Sequence, residues 1–155
     1  MSTALVLNLA NQAPYHYSNY PFTAFATQGE RQYGCQADGL YELVGDTDAD
    51  APIDAQITTG LLDLGEPLLK NIDALYLGYR AAGALDLTVS VGQSDGPQTV
   101  NYRLAETPAA PVTARLKLGK GVKARYWQFR LANTDGADFE LETLDILPIV
   151  LQRRI

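Results

Sequence analysis

Apolar and polar residues alternate with a period of two in several segments of the chain. The clearest case is ALDLTVSVG, in which every second residue is apolar: Leu85, Leu87, Val89 and Val91. This alternation is typical of a β-strand with one side in a core and the other in solvent. The pattern recurs in IDAQITTGL, where the apolar face contains Ile53, Ala55 and Ile57. It recurs again in VTARLKLG and in RYWQFRL, which is expected to bury Trp127, Phe129 and Leu131.

The apolar phase changes inside DFELETLDIL. Leu141 and Leu144 belong to opposite phases of the alternation, although a single predicted strand contains both. One extra residue in one strand of a pair produces such a change of face. We therefore predict a bulge or bend near Glu142 and Thr143.

Turn signals separate the apolar runs: ADGLY, GDTDADAP, SDGP and NTDGAD. Asp-Gly between alternating segments favours a hairpin, because Gly adopts the positive φ that tight turns require. TVSVGQSDGPQTVNYRL is therefore predicted to be a hairpin. Only TTGLLDLGEPLLKNIDALYL has helical character, and Gly65 and Pro67 limit a helix there to one or two turns. The chain is predicted to be all-β, an antiparallel β-sandwich that is jelly-roll-like.

The first part of the chain follows a different pattern. ALVLNLA predicts a short strand, and NQAPYHYSNYPFTAF then contains aromatic residues without a clean period: Tyr15, Tyr17, Tyr20, Phe22 and Phe25. We predict that residues 1–32 form this strand and an irregular arm, and that residues 33–155 form the sandwich domain. Aromatic rings give a large contact area with few rotatable bonds, so the arm is a candidate for insertion into a neighbouring subunit. The alternative is that these rings cover the open end of the domain's own core.

Composition narrows the class of protein. The 155 residues are 46% apolar and 19% charged, which is normal for a single globular domain. A net charge of −6 opposes binding to free nucleic acid. The single cysteine, Cys35, cannot form an internal disulfide, which favours synthesis in the cytoplasm. The apolar N-terminal segment is short and has no basic stretch before it, so neither a membrane span nor a signal peptide is expected.

One acidic segment has a metal-like spacing. Asp46, Asp48 and Asp50 alternate like the first ligands of a calcium-binding loop. However, Ala51 and Ile57 occupy the positions that require Gly and a bidentate Glu. We expect an acidic, solvated turn rather than a metal site.

The other reactive residues do not form a recognisable catalytic set. His16 is the only histidine, and Cys35 is interpreted as a small apolar residue. Glu140 and Glu142 lie two positions apart on a predicted strand, with no cleft implied. We therefore predict a protein that is not an enzyme and has no catalytic, cofactor-binding or metal-binding residues.

Three ordered segments carry a family resemblance: GLYELVGDTDADAPIDAQITTGLLDLG, LKNIDALYLGYRAAGALDLTVSV and ARLKLGKGVKARYWQFRLANTDGADFELETLDILPIVLQRRI. Together they resemble small β-rich virion proteins of tailed bacteriophages, of the tail-tip or baseplate type. The resemblance covers Tyr33 to Ile155, and the first thirty residues depart from it.

The resemblance implies a structural protein of the virion, made in the host cytoplasm and assembled with other virion proteins. Subunits of such assemblies often form rings, so a homo-oligomer is implied as well. Interface anchors are expected to be aromatic residues and arginines. The candidates are Tyr15, Tyr17, Tyr20 and Phe22 in the arm, with Arg153 and Arg154 at the end of the chain. The arginine pair has the alternative interpretation of a solvated chain end.

Three alternatives to a tail-tip or baseplate component remain open. They are a component of the head-tail neck, a carbohydrate-binding β-sandwich module with exposed Tyr rings, and a hydrolase that uses two carboxylates. A planar row of exposed rings favours the second of these. A pocket with two converging acids favours the third.

Overall fold

The regular secondary structure is entirely antiparallel β-sheet over the residues that the computed structural model describes. These are residues 2–10, 12–45, 47–48, 50–92, 98–107, 110–119 and 121–151. They form fourteen strands and no helix. The chain divides into two compact units, unit 1 from Met1–Gly45 and unit 2 from Asp46–Ile155. The prediction of an all-β, sandwich-type fold is confirmed.

Unit 1 contains two small sheets. β1 pairs with β2 in a hairpin, and β3, β4 and β5 form a three-stranded sheet in that order. The bounds are Thr3–Leu7, Pro14–Ser18, Ala24–Gln28, Arg31–Gln36 and Gly39–Glu42. The strand predicted in ALVLNLA is therefore present as β1. The aromatic segment that follows is more regular than the predicted arm, because it contains β2 and the start of β3.

The boundary between the units differs from the predicted one. A division after residue 32 falls inside β4, which pairs with β3 on one side and with β5 on the other. Because the hydrogen bonds of this sheet join residues on both sides of that point, the first compact unit extends to Gly45.

Unit 2 contains two larger sheets and one short hairpin. The sheets have the strand orders β11-β10-β13-β8 and β12-β9-β14, and β6 pairs with β7. The bounds of β6 to β9 are Thr47–Asp48, Ala51–Pro52, Gln56–Thr58 and Lys70–Ala81. Those of β10 to β14 are Leu85–Gly92, Gln98–Leu104, Val112–Leu116, Tyr126–Asn133 and Phe139–Val150. The predicted β10–β11 hairpin is present, and its loop, residues 93–97, lies outside the described residues.

Side chains from both large sheets meet in one core. Trp127, Phe129 and Leu131 of β13 are buried there, as their spacing predicts. The alternate apolar residues of β10 and β9 are buried with them: Leu85, Leu87, Val89, Val91, Leu75, Leu77 and Tyr79. Two facing sheets that share one apolar core define a β-sandwich.

One prediction for unit 2 is wrong in detail. Ile53 and Ile57, expected to be buried, are 43% and 44% exposed. Ile57 lies in β8, a three-residue edge strand that pairs only with β13, and Ile53 lies before this strand. Around Gly65 and Pro67, where the sequence limits a helix to one or two turns, the described residues form a turn before β9 begins at Lys70.

The predicted irregularity in β14 is a bulge at Glu142. Leu141 pairs with Tyr79 and Thr143 pairs with Gly78, so Glu142 is an extra residue without a partner in β9. The backbone N–H of Gly78 donates to the Thr143 hydroxyl at 3.2 Å. This bulge accounts for the change of apolar phase along the strand.

A second bulge lies on the opposite strand of the same pair. Leu147 pairs with Ala74 and Pro148 pairs with Ile72, so here the extra residue is Asp73 in β9. The first bulge adds a residue to β14 and the second adds one to β9. The register at the two ends of the pair is therefore the same.

One charged side chain is fully buried among the described residues, that of Lys70 at the start of β9. Its ammonium group donates to three backbone carbonyls, those of Asp63 at 2.7 Å, Glu66 at 2.6 Å and Arg125 at 3.0 Å. Gly65, with a φ of 81°, allows the chain between Asp63 and Glu66 to turn around the ammonium group. Lys70 thus joins this turn to the segment before β13.

No helix long and apolar enough to cross a bilayer occurs within the described part of the chain.

The hydroxyl of Tyr79 gives the sandwich a pH dependence at alkaline pH. It donates to the carbonyl of Ala105 at 2.9 Å, and burial raises the pKa of this phenol above its ordinary value of 10.0. The neutral form is favoured in the folded state, so this contribution is complete below pH 10 and is lost as the pH rises through the raised pKa.

We expect urea midpoints between pH 9 and pH 11.5 to decrease less steeply for Tyr79→Phe than for the wild type. At neutral pH the same variant should be less stable by about 1 kcal/mol, because it lacks the hydrogen bond to Ala105. Tyr126→Phe is the control, since Tyr126 is exposed. Parallel curves for Tyr79→Phe and the wild type would contradict the assignment.

Candidate interaction surface

Five aromatic rings form a cluster in unit 1. Tyr20 lies at its centre, with ring centroids 4.8 Å from Phe22, 5.6 Å from Tyr17 and 6.0 Å from Phe25. Phe22 also contacts Tyr41, at 5.9 Å. β2 contributes Tyr17, β3 contributes Phe25 and β5 contributes Tyr41. The cluster therefore joins the hairpin to the three-stranded sheet.

Gly34 is the position on which Phe22 packs. A Cβ atom at Gly34 would lie 2.6 Å from Cγ and Cδ1 of the Phe22 ring, closer than side-chain atoms approach one another. The connection that contains Phe22 is held in place next to it, because the N–H of Thr23 donates to the carbonyl of Cys35 at 2.9 Å. Within the described part of unit 1, Gly34 is the one buried residue.

The cluster brings together three of the four aromatic residues predicted as interface anchors: Tyr17, Tyr20 and Phe22. The fourth, Tyr15, lies two positions from Tyr17 on β2 and shares its face; both rings are more than 40% exposed. The predicted anchors Arg153 and Arg154 lie outside the described residues.

The ring planes do not form a flat platform. The angles between neighbouring planes lie between 55° and 84°, except for Tyr20 and Phe25, which stack on each other at 20°. Edge-to-face contacts of this kind are typical of rings that pack together. This geometry does not favour a sugar-binding surface, which needs coplanar exposed rings.

The β1–β2 hairpin has two different faces. Cross-strand partners share a face, and the pairing sets Leu5 opposite His16 and Leu7 opposite Pro14. We call these four residues the hairpin face. Leu5 is 80% exposed and Leu7 is 55% exposed. The opposite face carries the half-buried Ala4 and Val6 beside the rings of β2.

Charge is almost absent from unit 1. The first Asp, Glu, Lys or Arg of the chain is Glu30, and the unit contains only three more: Arg31, Asp38 and Glu42. Its exposed residues nevertheless include large apolar side chains: Leu5, Leu7, Leu9, Phe25, Leu40 and Val44. Depletion of charge together with exposed aromatic and aliphatic residues is the composition of the centre of a protein–protein interface.

The sequence predicts the aromatic part of this surface, but it predicts only a strand for the segment that contains Leu5, Leu7 and Leu9. The uncharged run from Met1 to Gly29 marks them as members of the same surface.

Among the described residues, no group of three or more His, Cys, Asp or Glu side chains could hold a metal ion. His16 is exposed on β2, and Cys35 is an exposed free thiol. Of the three alternating aspartates, Asp48 and Asp50 lie at the β6–β7 hairpin, and Asp46 lies outside the described residues.

One open groove contains acidic side chains. Asp138 and Glu140 line it together with Arg80 and Phe139. The guanidinium of Arg80 donates to a carboxylate oxygen of Glu140 at 2.8 Å. Both partners are more than half exposed, so this is a surface ion pair, which stabilises the fold by about 0–1 kcal/mol.

No protein-family model, curated protein sequence or solved structure matches the chain.

Proposed function

We propose that the protein is a non-enzymatic structural component of a tailed-phage virion that assembles in the tail tip or baseplate through ring-type subunit contacts. The observation that carries this proposal is the surface of unit 1, which is strongly apolar, nearly uncharged and exposed. A surface of this composition is unfavourable in water and is typical of a subunit whose partner covers it.

The two units supply different parts of such a subunit. Unit 2 has a core of large buried side chains shared by two sheets, which gives it a fixed shape. Unit 1 has little buried apolar area and displays its aromatic and aliphatic side chains instead. A subunit with a well-packed sandwich and an exposed apolar surface is suited to assembly into a ring. In a ring, each subunit binds the next through two different surfaces.

The placement in a virion is supported by the resemblance in residues 33–155. The segments that carry it include β9, β10, β13 and β14, the longest strands of the sandwich. Unit 1 lies largely outside this resemblance, so its role is argued from its exposed apolar residues alone.

Purified particles test the proposal. We expect mass spectrometry of gradient-purified virions to detect the chain at a fixed ratio to the tail proteins, and to detect it in tails separated from heads. A tagged copy should be labelled at the end of the tail that is distal to the head. Absence of the chain from intact particles would contradict a structural role. A label at the head-tail junction would show that the chain lies in the neck and not at the tail tip.

A further inference from the structure

The hairpin face contains Leu5, the most exposed large apolar residue in the strands of unit 1. Leu5 lies at the centre of β1, and its cross-strand partner His16 lies beside it on the same face. Exposure alternates along β1, so that Thr3, Leu5 and Leu7 point to one side and Ala4 and Val6 to the other. The outward residues are thus arranged symmetrically about Leu5.

We propose that the hairpin face packs against the same face of a second copy of this chain, related to the first by a two-fold axis near Leu5. The two hairpins stack face to face, at about the 10 Å separation of packed sheets. Leu5 and Leu7 of each copy then lie between the two hairpins. The contact is isologous, since both copies use identical residues.

The absence of charge on the hairpin allows a second copy of the chain to be the occupant. The chain has a net charge of −6, so two copies repel each other over most of their surfaces. The whole hairpin, from Thr3 to Ser18, carries no Asp, Glu, Lys or Arg. Two hairpin faces can therefore approach each other without bringing like charges together, and an apolar face is complementary to itself.

The area available sets the strength of the contact. Leu5, Leu7 and Leu9, with Pro14 and His16, offer roughly 500 Å² per copy, or about 1,000 Å² in total, near the lower limit for a specific interface. Leu9 follows β1 in the loop and is 88% exposed, so it is available to add to the area of the hairpin face. The loss of translational and rotational freedom on association offsets much of the free energy gained by burying an area of this size. We therefore expect a dissociation constant of about 1–100 μM.

This inference goes beyond the proposed function and does not require it. A ring contact joins two different surfaces of neighbouring subunits, whereas the hairpin contact joins identical ones. The free chain is expected to dimerise in solution before it meets any other virion protein.

Sedimentation equilibrium over about 1–200 μM protein tests the dimer. We expect the wild type to change from monomer to dimer across this range, and Leu5→Asp/Leu7→Asp to dimerise at least 10-fold more weakly. Val44→Asp is the matched control, since Val44 is 73% exposed in the same unit but lies outside the hairpin. A monomeric wild type, or a double variant that dimerises as well as the wild type, would overturn the proposal.

Cysteine cross-linking tests the orientation. Because Cys35 is the only cysteine, the variant Cys35→Ser offers a background without thiols. In that background, a bis-maleimide that spans about 10 Å should link Leu5→Cys into a covalent dimer, and it should not link Tyr15→Cys, on the other face. A disulfide is not used, because it requires Cα atoms within about 7 Å. The reverse result would show that the opposite face makes the contact and would overturn the proposal.

The two proposals fail separately. If the chain stays monomeric but Leu5→Asp/Leu7→Asp prevents its incorporation into particles, another virion protein covers the hairpin face; the dimer is then rejected and the proposed function stands. If the chain dimerises through Leu5 but is absent from particles, the dimer stands and the proposed function is rejected.

Discussion

Replacing Lys70 by Met is expected to destabilise unit 2 by about 1–3 kcal/mol. The ammonium group is the donor for the carbonyls of Asp63, Glu66 and Arg125, and all three distances are 3.0 Å or less. Met keeps most of the volume of the lysine stem but provides no donor. The carbonyls of Glu66 and Arg125 therefore lose their charged partner, and the carbonyl of Asp63 keeps only the N–H of Glu66, at 3.2 Å. A buried acceptor left without a donor costs about 1–3 kcal/mol.

The single tryptophan makes this measurement specific. Trp127 is buried in unit 2, so its fluorescence during urea unfolding reports on the sandwich and not on unit 1. Lys117→Met is the matched control, because Lys117 is exposed on the same unit, and its midpoint should stay within about 0.5 kcal/mol of the wild type. A loss of less than 1 kcal/mol for Lys70→Met would show that the three hydrogen bonds do not hold the turn.

The second large effect is expected at Gly34. Replacing it by Ala introduces a Cβ atom 2.6 Å from the Phe22 ring, so the ring or the β4 backbone must move. Overpacking of this kind costs about 1–3 kcal/mol. In unit 1 this is a large fraction of the stability, because its apolar contacts are concentrated in the five-ring cluster. We expect Gly34→Ala to release Phe22 and to loosen the unit.

Limited proteolysis combined with near-ultraviolet circular dichroism measures this effect. Cleavage within residues 1–45 should accelerate and the tyrosine signal should decrease, while Trp127 fluorescence remains that of the folded sandwich. Gly39→Ala is the control in the same sheet, since a Cβ there meets only Tyr41 at an ordinary 3.7 Å. Equal proteolysis rates for Gly34→Ala and Gly39→Ala would show that Phe22 does not depend on the glycine.

The sandwich follows closely from the sequence because its strands are half-buried. β10 and β13 each have one face in the core, so the alternation of Leu85 with Asp86 or of Trp127 with Gln128 translates directly into burial. The change of phase near Glu142 predicts the bulge for the same reason. Ile57 is exposed although its segment alternates, because an edge strand can carry the same alternation without a second sheet to cover it.

The N-terminal unit was harder to predict because its contacts are between rings and not between alternating faces. Tyr20 and Phe22 lie between β2 and β3, where no periodicity exists, and their partners include Tyr41 from a strand far along the chain. Local patterns do not contain this information. The extension of the unit to Gly45 depends on the pairing of β4 with β5, which a division by composition does not detect.

Lys70 shows a third reason why the sequence does not predict every feature of the structure. Its position matches the inward phase of Ile72 at the start of β9, which is a detectable signal for a buried lysine. The sequence does not show how the buried charge is stabilised, because the three acceptors are backbone carbonyls from two separate segments. Carbonyl groups are present at every residue, so their convergence is visible only in the fold.

The paired bulges of β9 and β14 have an evolutionary consequence. Each bulge holds a residue that has no partner on the other strand. Loss of Glu142 alone would therefore leave every later residue of β14 opposite its present partner, and loss of Asp73 alone would do the same for β9. The ladder would then continue through that point without a bulge, and the apolar side chains would keep their side of the sheet. Single-residue deletions at these two sites should therefore be tolerated independently, and lineages can lose one bulge while they keep the other.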